Sequence, residues 1–333
     1  MFGKNRSLNF FSSVAFHSQE SAANLEYTAI ATYREPRIFD TAADAFVNAT
    51  VEQQRRSSFN FSRRSLSADI ARKLSRTVSL SGSYQIQRTN VFDEKLSEDK
   101  PLIDRVFSQV RLSSFSSTLV RDTRDDAVDP SRGEYGSISG QLAGRAIGSE
   151  IGFAKSFLTA QAFRTLPHTN RVVFAGSARI GLAVGFPRDA INADGQVETI
   201  RNLPQSERFY AGGDTTVRGF LLDQLGVRHT PADVVRDTID ENGFAIGGNG
   251  LVVLNAELRA PVAHGFGVVG FVDTGNVFSN ASEIDFGELR TAVGSGIRYK
   301  SPFGPIRFDL GFKLNRQPGE SLTAWFISFG QAF

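Results

Sequence analysis

The sequence contains no cysteine, and it has only one methionine, one tryptophan and four histidines in 333 residues. The absence of cysteine excludes disulfide scaffolds, thiolate metal sites and cysteine nucleophiles. The few histidines give little support to a histidine-based metalloenzyme. An excess of charge of one sign is also missing, because 37 Lys and Arg face 35 Asp and Glu. This balance disfavours a nucleic-acid-binding protein, which needs a concentrated basic surface.

Long hydrophobic runs are absent as well. The most apolar stretch, Phe266–Val272, has the length of a strand and falls far short of the ~18 residues of a membrane helix. Basic residues near the start are not followed by an apolar segment, so no signal peptide is recognisable. What the chain has in quantity is glycine and phenylalanine, with 31 and 29 residues. This composition is typical of a β protein.

Apolar and polar residues alternate with a period of two along most of the chain, which indicates β-strands. In Ile306–Leu314, for example, Arg307, Asp309 and Lys313 share one face and apolar residues share the other. A soluble β-sandwich and a transmembrane barrel would both give this alternation. The strands run to about 9–14 residues, however, whereas globular strands average ~5–6 and bilayer-spanning strands need ~9–11. Tight turns also alternate with longer loops.

We therefore predict an all-β fold, a transmembrane antiparallel β-barrel of about fourteen strands that forms one domain over residues 1–333. One connection, residues 186–250, is far longer than the others, and we call it the long connection.

Several segments carry a resemblance to a known family. They are Glu207–Phe220 with Val217, Arg218, Gly219 and Phe220, then Gly250–Pro261, Phe271–Phe278, Ser301–Leu310 and the closing Phe333, with a further likeness at Arg121–Gly133. In combination these segments resemble the barrel domain of the BamA/TamA-type outer-membrane assembly factors, also called the bacterial surface-antigen family.

The resemblance implies a role for the long connection. In the family this loop folds into the barrel lumen and places its arginine against acidic residues of the inner wall. The positions that match are Arg218 for the arginine and Glu257 and Asp273 for the acids. The alternation places Glu257 on the polar face and leaves Asp273 ambiguous. Because lumen water would weaken the pairing, we expect it to contribute no more than ~1–3 kcal/mol.

The family's function is implied in the same way. We expect a non-catalytic integral protein of a Gram-negative-type outer membrane that assembles or inserts β-barrel proteins or translocates polypeptides. The expected partners are the lipid bilayer with lipopolysaccharide, unfolded outer-membrane or secreted clients, and periplasmic or lipoprotein accessory subunits. No cofactor, metal or nucleic acid is expected. The alternatives are a two-partner-secretion transporter, a passive outer-membrane channel, and the barrel of a patatin-like lipase fusion.

The two ends of the chain add further expectations. Trp325, Ile327, Phe329 and Phe333 share one parity, so we predict a lipid-facing last strand, which the resemblance identifies with the signal for barrel insertion. Family barrels have sixteen strands preceded by POTRA domains. Since Met1–Asn5 is similar to the turn after the second strand, we expect those two strands and the POTRA domains to be missing. A reduced barrel, closed by Leu8–Phe16 against the last strand, is the alternative.

Three local features point to less specific roles. The carboxylates of Arg121–Gly133 lack the spacing of an EF-hand, and the arginines between them predict a salt-bridged turn. The pairs Arg55-Arg56 and Arg63-Arg64 predict a solvated outer loop that could contact lipopolysaccharide phosphates. The histidines fall in or near connections and not in the middle of strands, and no base positioned beside a nucleophile is recognisable.

Overall fold

The computed structural model describes residues 5–16, 25–92, 94–95, 108–169, 171–191, 196–228, 236–302 and 304–333. The strands are β1 Ser7–Phe16, β2 Leu25–Glu35, β3 Ala43–Arg55, β4 Asn60–Lys73, β5 Val78–Phe92, β6 Gln109–Asp122, β7 Gly133–Ala143, β8 Phe153–Thr165, β9 Val173–Gly185, β10 Arg188–Ile191, β11 Val197–Ile200, β12 Gly250–Pro261, β13 Phe266–Phe278, β14 Arg290–Ser301, β15 Gly304–Lys313 and β16 Thr323–Phe329. None of the helices in these residues is long and apolar enough to span a membrane.

Fourteen of the strands form one sheet in which neighbours along the chain pair with each other. The order departs from the chain where β9 pairs with β12, because the long connection runs between them. That connection carries β10 and β11, which form a separate two-stranded sheet. The prediction of an all-β antiparallel fold with about fourteen strands in the sheet is confirmed.

The two faces of the strands differ in an unusual sense, which β15 shows clearly. Arg307 and Asp309 are 2% and 0% exposed, whereas Phe308 between them is 42% exposed. In β4, Leu66 and Ile70 are likewise more than half exposed. A water-soluble sheet buries its apolar face, so a covered polar face and an exposed apolar face suit hydrocarbon as the surrounding solvent.

The chain divides into two compact units. The first consists of Met1–Val120, Ile138–Ser156 and Ala183–Arg208, and the second of Arg121–Ser137, Phe157–Leu182 and Phe209–Phe333. The long connection contributes residues to each unit. In both units, part of this connection contacts polar side chains of the strands.

In the first unit this contact centres on Glu207. Its carboxylate accepts a hydrogen bond of 2.8 Å from Gln87 and pairs with Arg63 at 3.2 Å. Lys155 donates to the Glu207 carbonyl oxygen at 2.7 Å. The prediction that Arg63 lies in a solvated outer loop is therefore wrong. Strands β3 and β4 extend further than the alternation indicated, so Arg63 lies within β4 and faces the long connection.

The acidic turn between β6 and β7 uses its carboxylates to hold its own backbone. Asp125 accepts hydrogen bonds from the backbone N–H groups of Ser131 and Arg132 at 2.9 and 3.0 Å and from the Ser131 hydroxyl at 2.5 Å. Arg124 pairs with Asp122 at 2.8 Å. Burial alone would raise the pKa of Asp125, but the bonds from Ser131 and Arg132 outweigh it and lower the pKa to about 2.

Replacing Asp125 with alanine is expected to open this turn and to lower the free energy of unfolding by about 1–2 kcal/mol, because several hydrogen bonds are lost at once.

The turn of the parent protein should keep its structure in acid. The depressed pKa means that the contribution of Asp125 is complete above its unfolded pKa of ~3.9 and is lost only as the pH falls towards 2. Protease cleavage within residues 123–133, followed from pH 7 to pH 3, measures both effects. Glu241→Ala, at another exposed carboxylate, is the control, and equal cleavage in both variants would contradict the prediction.

Candidate functional site

Arg218 is the central contact between the long connection and the strands of the second unit. Its side chain is fully buried. The guanidinium donates to both carboxylate oxygens of Asp273, from Nε at 2.7 Å and from Nη2 at 2.9 Å, and its Nη1 donates to Glu257. The backbone N–H of Arg218 donates to Asp273 as well, at 3.0 Å. Two charges of the strands thus hold one charge of the connection by directional, charge-assisted bonds.

The register of β12 and β13 explains why the two acids face the same side. Asn255 pairs with Asp273 and Glu257 pairs with Phe271, and directly opposed residues of an antiparallel pair share a face. All four side chains therefore point towards the long connection. Phe271 made the face of Asp273 ambiguous in the sequence, yet its ring lies 3.6 Å from the Arg218 guanidinium carbon. A stacked aromatic ring attracts a guanidinium group by a cation–π interaction.

A third carboxylate, that of Asp309 in β15, was not predicted as a partner of Arg218. It lies 3.6 Å from Nη1 of Arg218. Arg298 donates to it at 2.6 Å and Arg307 at 3.3 Å. The alternation had placed Asp309 on the polar face, but only the β14–β15 register, in which Asp309 pairs with Gly296, brings it to this point.

Arg259 completes the group, since its Nε donates to Glu257 at 2.8 Å. The four guanidinium groups of Arg218, Arg259, Arg298 and Arg307 thus share the three carboxylates of Glu257, Asp273 and Asp309, and we call these seven residues the arginine–carboxylate cluster. All seven are buried. Removal of Arg218 would leave the buried Asp273 carboxylate without its ion-pair partner, which is strongly destabilising. The cluster therefore favours one placement of the connection over others.

The residues just before Arg218 are held through their backbone. The carbonyl oxygens of residues 214–216 accept hydrogen bonds from Arg307 at 2.7 Å, Arg179 at 2.5 Å and Asn255 at 2.5 Å, in that order. The Asp214 carboxylate also accepts from Arg307, at 2.6 Å. Side chains of three different strands thus satisfy a segment that has no secondary structure of its own.

Gly219 and Val217 flank Arg218, and both are closely packed against their surroundings. Gly219 has φ 126°, which side-chain-bearing residues rarely adopt, and a Cβ there would lie 2.7 Å from the Cβ of Ala292. Val217 is fully buried. Gly311 of β15 faces this segment, so that a Cβ on Gly311 would meet the Arg218 carbonyl oxygen at 2.5 Å. The backbone of the connection approaches β15 closely because glycine stands on both sides.

Phe220 ends the motif and is buried between two cations. The Arg290 guanidinium carbon lies 4.7 Å from the ring centroid and the Lys313 ammonium lies 5.1 Å away. Arg290 is paired with Glu320 at 2.6 Å. Burial alone would raise the pKa of Glu320, but the hydrogen bond from Arg290 outweighs it, and the pKa is lowered. Glu320 therefore stays ionised at neutral pH and fixes the cation above Phe220.

The predicted C-terminal residues do not all share one environment. Trp325, Ile327 and Phe329 are exposed along one face of β16. Phe333 departs from this parity because β16 ends at Phe329 and Gly330 adopts φ 87°. Its ring lies 5.5 Å from the guanidinium carbon of Arg259. The role of these four residues as an insertion signal stays a prediction.

Within the described residues, no group of three or more His, Asp or Glu is placed to hold a metal ion. His168 and His264 lie in turns, whereas His17 and His229 lie outside the described residues. The carboxylates of the arginine–carboxylate cluster are all engaged by guanidinium groups.

Comparison with known proteins identifies the family of this chain. The Omp85 superfamily domain matches residues 1–333. The outer membrane protein assembly factor BamA of Nitratidesulfovibrio vulgaris is 28% identical over 257 residues, which cover 75% of this chain and 29% of the relative. BamA of Neisseria meningitidis is 25% identical over 244 residues, which cover 64% and 28%. The chain thus spans less than a third of the length of these curated relatives.

A solved structure supports the fold. The crystal structure of BamA from Haemophilus ducreyi lacking POTRA domains 1–3 aligns with a TM-score of 0.68 at 16% identity, over 98% of this chain and 69% of that one. The fold of the present chain is therefore that of an outer-membrane β-barrel, in keeping with the exposed apolar faces of its strands. With its whole length matched by the family's domain, this integral outer-membrane chain belongs to the Omp85 superfamily.

Proposed function

We propose that the chain is the barrel portion of an outer-membrane protein assembly factor, which inserts or translocates other polypeptides without catalysis of its own. The observation that carries the proposal is the fixed placement of residues 214–220 by the arginine–carboxylate cluster, in a chain whose relatives are named assembly factors. An enzyme would need a positioned base beside a nucleophile or acid. Here the buried charges serve to hold the long connection on the polar face.

The strand at which a client would bind is β16. It stands at one end of the strand order, and it has seven residues. A terminal strand can offer its backbone N–H and C=O groups to an incoming strand, which extends the sheet by β-augmentation. The unfolded client would then gain hydrogen bonds before it enters the hydrocarbon. Accessory periplasmic or lipoprotein subunits and lipopolysaccharide belong to the same proposal as partners.

The absence of cysteine makes this proposal directly testable by cross-linking. We expect Thr323→Cys, in β16, to form a disulfide with a stalled outer-membrane client that carries one cysteine in its last strand. Thr159→Cys is the matched control, because it makes the same change in β8, within the sheet. Both variants would be expressed in cells, and the adducts would be counted on non-reducing gels.

The outcomes separate the candidate functions. Adducts at β16 well above those at β8 support assembly. Adducts with one dedicated secreted protein, and with no outer-membrane client, indicate a two-partner-secretion transporter. Equal and low yields at both positions, together with a large steady ion conductance in planar bilayers, contradict the proposal and indicate a passive channel. Release of fatty acids from phospholipid would instead indicate the barrel of a lipase fusion.

A further inference from the structure

A cavity of about 340 Å³ lies at the tight turn between β12 and β13 in the second unit. Residues of this turn line it together with residues 129–131 and parts of β14. None of the functions considered above uses the cavity. Its lining combines two properties that together indicate a ligand.

The first property is a buried cation whose hydrogen bonds are incomplete. Arg259 lines the cavity and is 7% exposed. Its Nε donates to Glu257, but Nη1 and Nη2 are buried without a hydrogen-bond partner among the described residues. The rings of Phe163 and Phe333 lie 5.7 and 5.5 Å from its guanidinium carbon. Aromatic rings remove water from the guanidinium and supply no countercharge, so this group favours an anion.

Positive charges predominate around the cavity. Arg171, Arg298 and Lys300 line it beside Arg259, and the carboxylate of Asp129 also lines it. Asp129 accepts from Gln331 at 2.8 Å and lies 3.5 Å from Lys300, so it is already engaged. An anion that enters the cavity would therefore meet an excess of positive charge. A guanidinium fork matches the oxygen geometry of phosphate.

The second property is an apolar wall that continues onto the exposed face of the strands. Val262, Phe266 and Val268 line the same cavity, and each is about half exposed or more. They belong to the apolar side that suits hydrocarbon. A ligand that satisfies both walls carries an anionic head and hydrocarbon chains.

We propose that this cavity binds the phosphate group of an anionic phospholipid. Arg259 receives the phosphate oxygens, Arg171 and Lys300 flank them, and the acyl chains lie along Phe266 and Val268. Free inorganic phosphate has the same oxyanion chemistry, so the experiment must separate the two sources. The proposal depends on the outer-membrane location of the chain and is independent of its role in assembly.

Native mass spectrometry of the purified chain in detergent micelles would count bound lipid during titration with phosphatidylglycerol, phosphatidylcholine or inorganic phosphate. We expect one phosphatidylglycerol to bind in preference to phosphatidylcholine. Because each cation near a lipid surface changes affinity about fivefold, Arg171→Gln with Lys300→Gln should weaken this binding about 25-fold. Arg259→Gln should abolish the preference, and Arg259→Lys should restore part of it.

Arg121→Gln with Arg164→Gln is the matched control, because it removes two exposed arginines that pair with Glu134 outside the cavity. Its phosphatidylglycerol binding should equal that of the parent. If both lipids bind equally, or if the Arg171/Lys300 variant binds as the parent does, the proposal is overturned. If inorganic phosphate binds but neither lipid does, and the Arg171/Lys300 variant loses this binding, the cavity is an oxyanion site and the proposal that its ligand is a lipid is overturned. Should Arg259→Gln fail to fold, the Arg171/Lys300 variant decides, since both residues lie outside the arginine–carboxylate cluster.

Discussion

Replacing Arg218 with alanine is expected to lower the free energy of unfolding by about 3–5 kcal/mol, the cost of breaking a buried ion pair from one side. The change leaves Asp273 and Glu257 buried, and each loses a guanidinium partner. It also frees the polypeptide that Arg218 fixes. Urea unfolding in detergent gives the energy, and limited proteolysis of the long connection reports its release.

The size of this effect depends on burial. The sequence predicted no more than ~1–3 kcal/mol, on the argument that water would surround the pair. The structure instead leaves Arg218 and Asp273 with 0% exposure and Glu257 with 1%. Water cannot take over the hydrogen bonds of groups that it does not reach, so a larger loss is expected.

Three further variants test the cause. Arg164→Ala removes an exposed arginine whose partner is Glu134, with side chains 58% and 44% exposed, and should cost no more than about 1 kcal/mol. Arg218→Lys keeps the charge and loses the fork, so it should fall between the parent and alanine. Arg218→Ala combined with Asp273→Asn should recover part of the stability, because the ion-pair partner of the buried Asp273 carboxylate is Arg218, and the amide leaves no charge behind. If Arg218→Ala has the same free energy of unfolding as the parent, and its long connection resists protease equally well, the cluster does not hold the connection.

Replacing Gly311 with alanine is expected to displace the same segment by steric contact alone, at a cost of about 1–3 kcal/mol for overpacking. An added Cβ would lie 2.5 Å from the Arg218 carbonyl oxygen and 2.7 Å from the Gly219 nitrogen. Both atoms belong to the backbone, so no rotamer change can relieve the contact. Urea unfolding and proteolysis of the long connection measure the result.

Gly270→Ala is the matched control for Gly311→Ala. Gly270 lies in β13, and a Cβ there meets no atom within 4 Å. Alanine in this open position should leave stability unchanged or raise it slightly, because glycine loses more conformational entropy on folding. If both variants behave alike, close approach of the connection to β15 is not what Gly311 provides. If Gly311→Ala alone releases the connection, its effect should resemble that of Arg218→Ala without any change in charge.

Together these variants connect the site to the proposed function. Arg218→Ala removes the ion pairs that bind the connection to the strands, and Gly311→Ala introduces a side chain where the backbone of the connection lies. If a fixed connection is required for client insertion, both should lower the yield of client adducts at Thr323→Cys, while Gly270→Ala should not. A loss of adducts in the Arg218 variant alone would point to charge rather than placement.

The sequence by itself determined the faces of the strands and the approximate number of strands. Alternation is a local property of extended backbone, so Arg307 and Asp309 could be assigned to one face without knowledge of their neighbours. Glycine, turn residues and strand length were also local signals. The segment Val217–Phe220 drew attention through its resemblance to a family, and in the structure Arg218 contacts Glu257 and Asp273.

Only the tertiary structure decided which polar side chains meet. Asp309 and Arg259 join the arginine–carboxylate cluster through strand registers and through the path of a long connection, and neither is encoded by a local period. The alternation placed Phe333 on the same face as Trp325, but the strand ends before Phe333, at a glycine with positive φ, so the alternation does not apply there. Arg63 lies in a strand and not in the predicted outer loop, because β4 begins earlier than the alternation indicated. Period two fixes the face on which a residue lies, whereas contacts between distant segments depend on register, close backbone approach and burial.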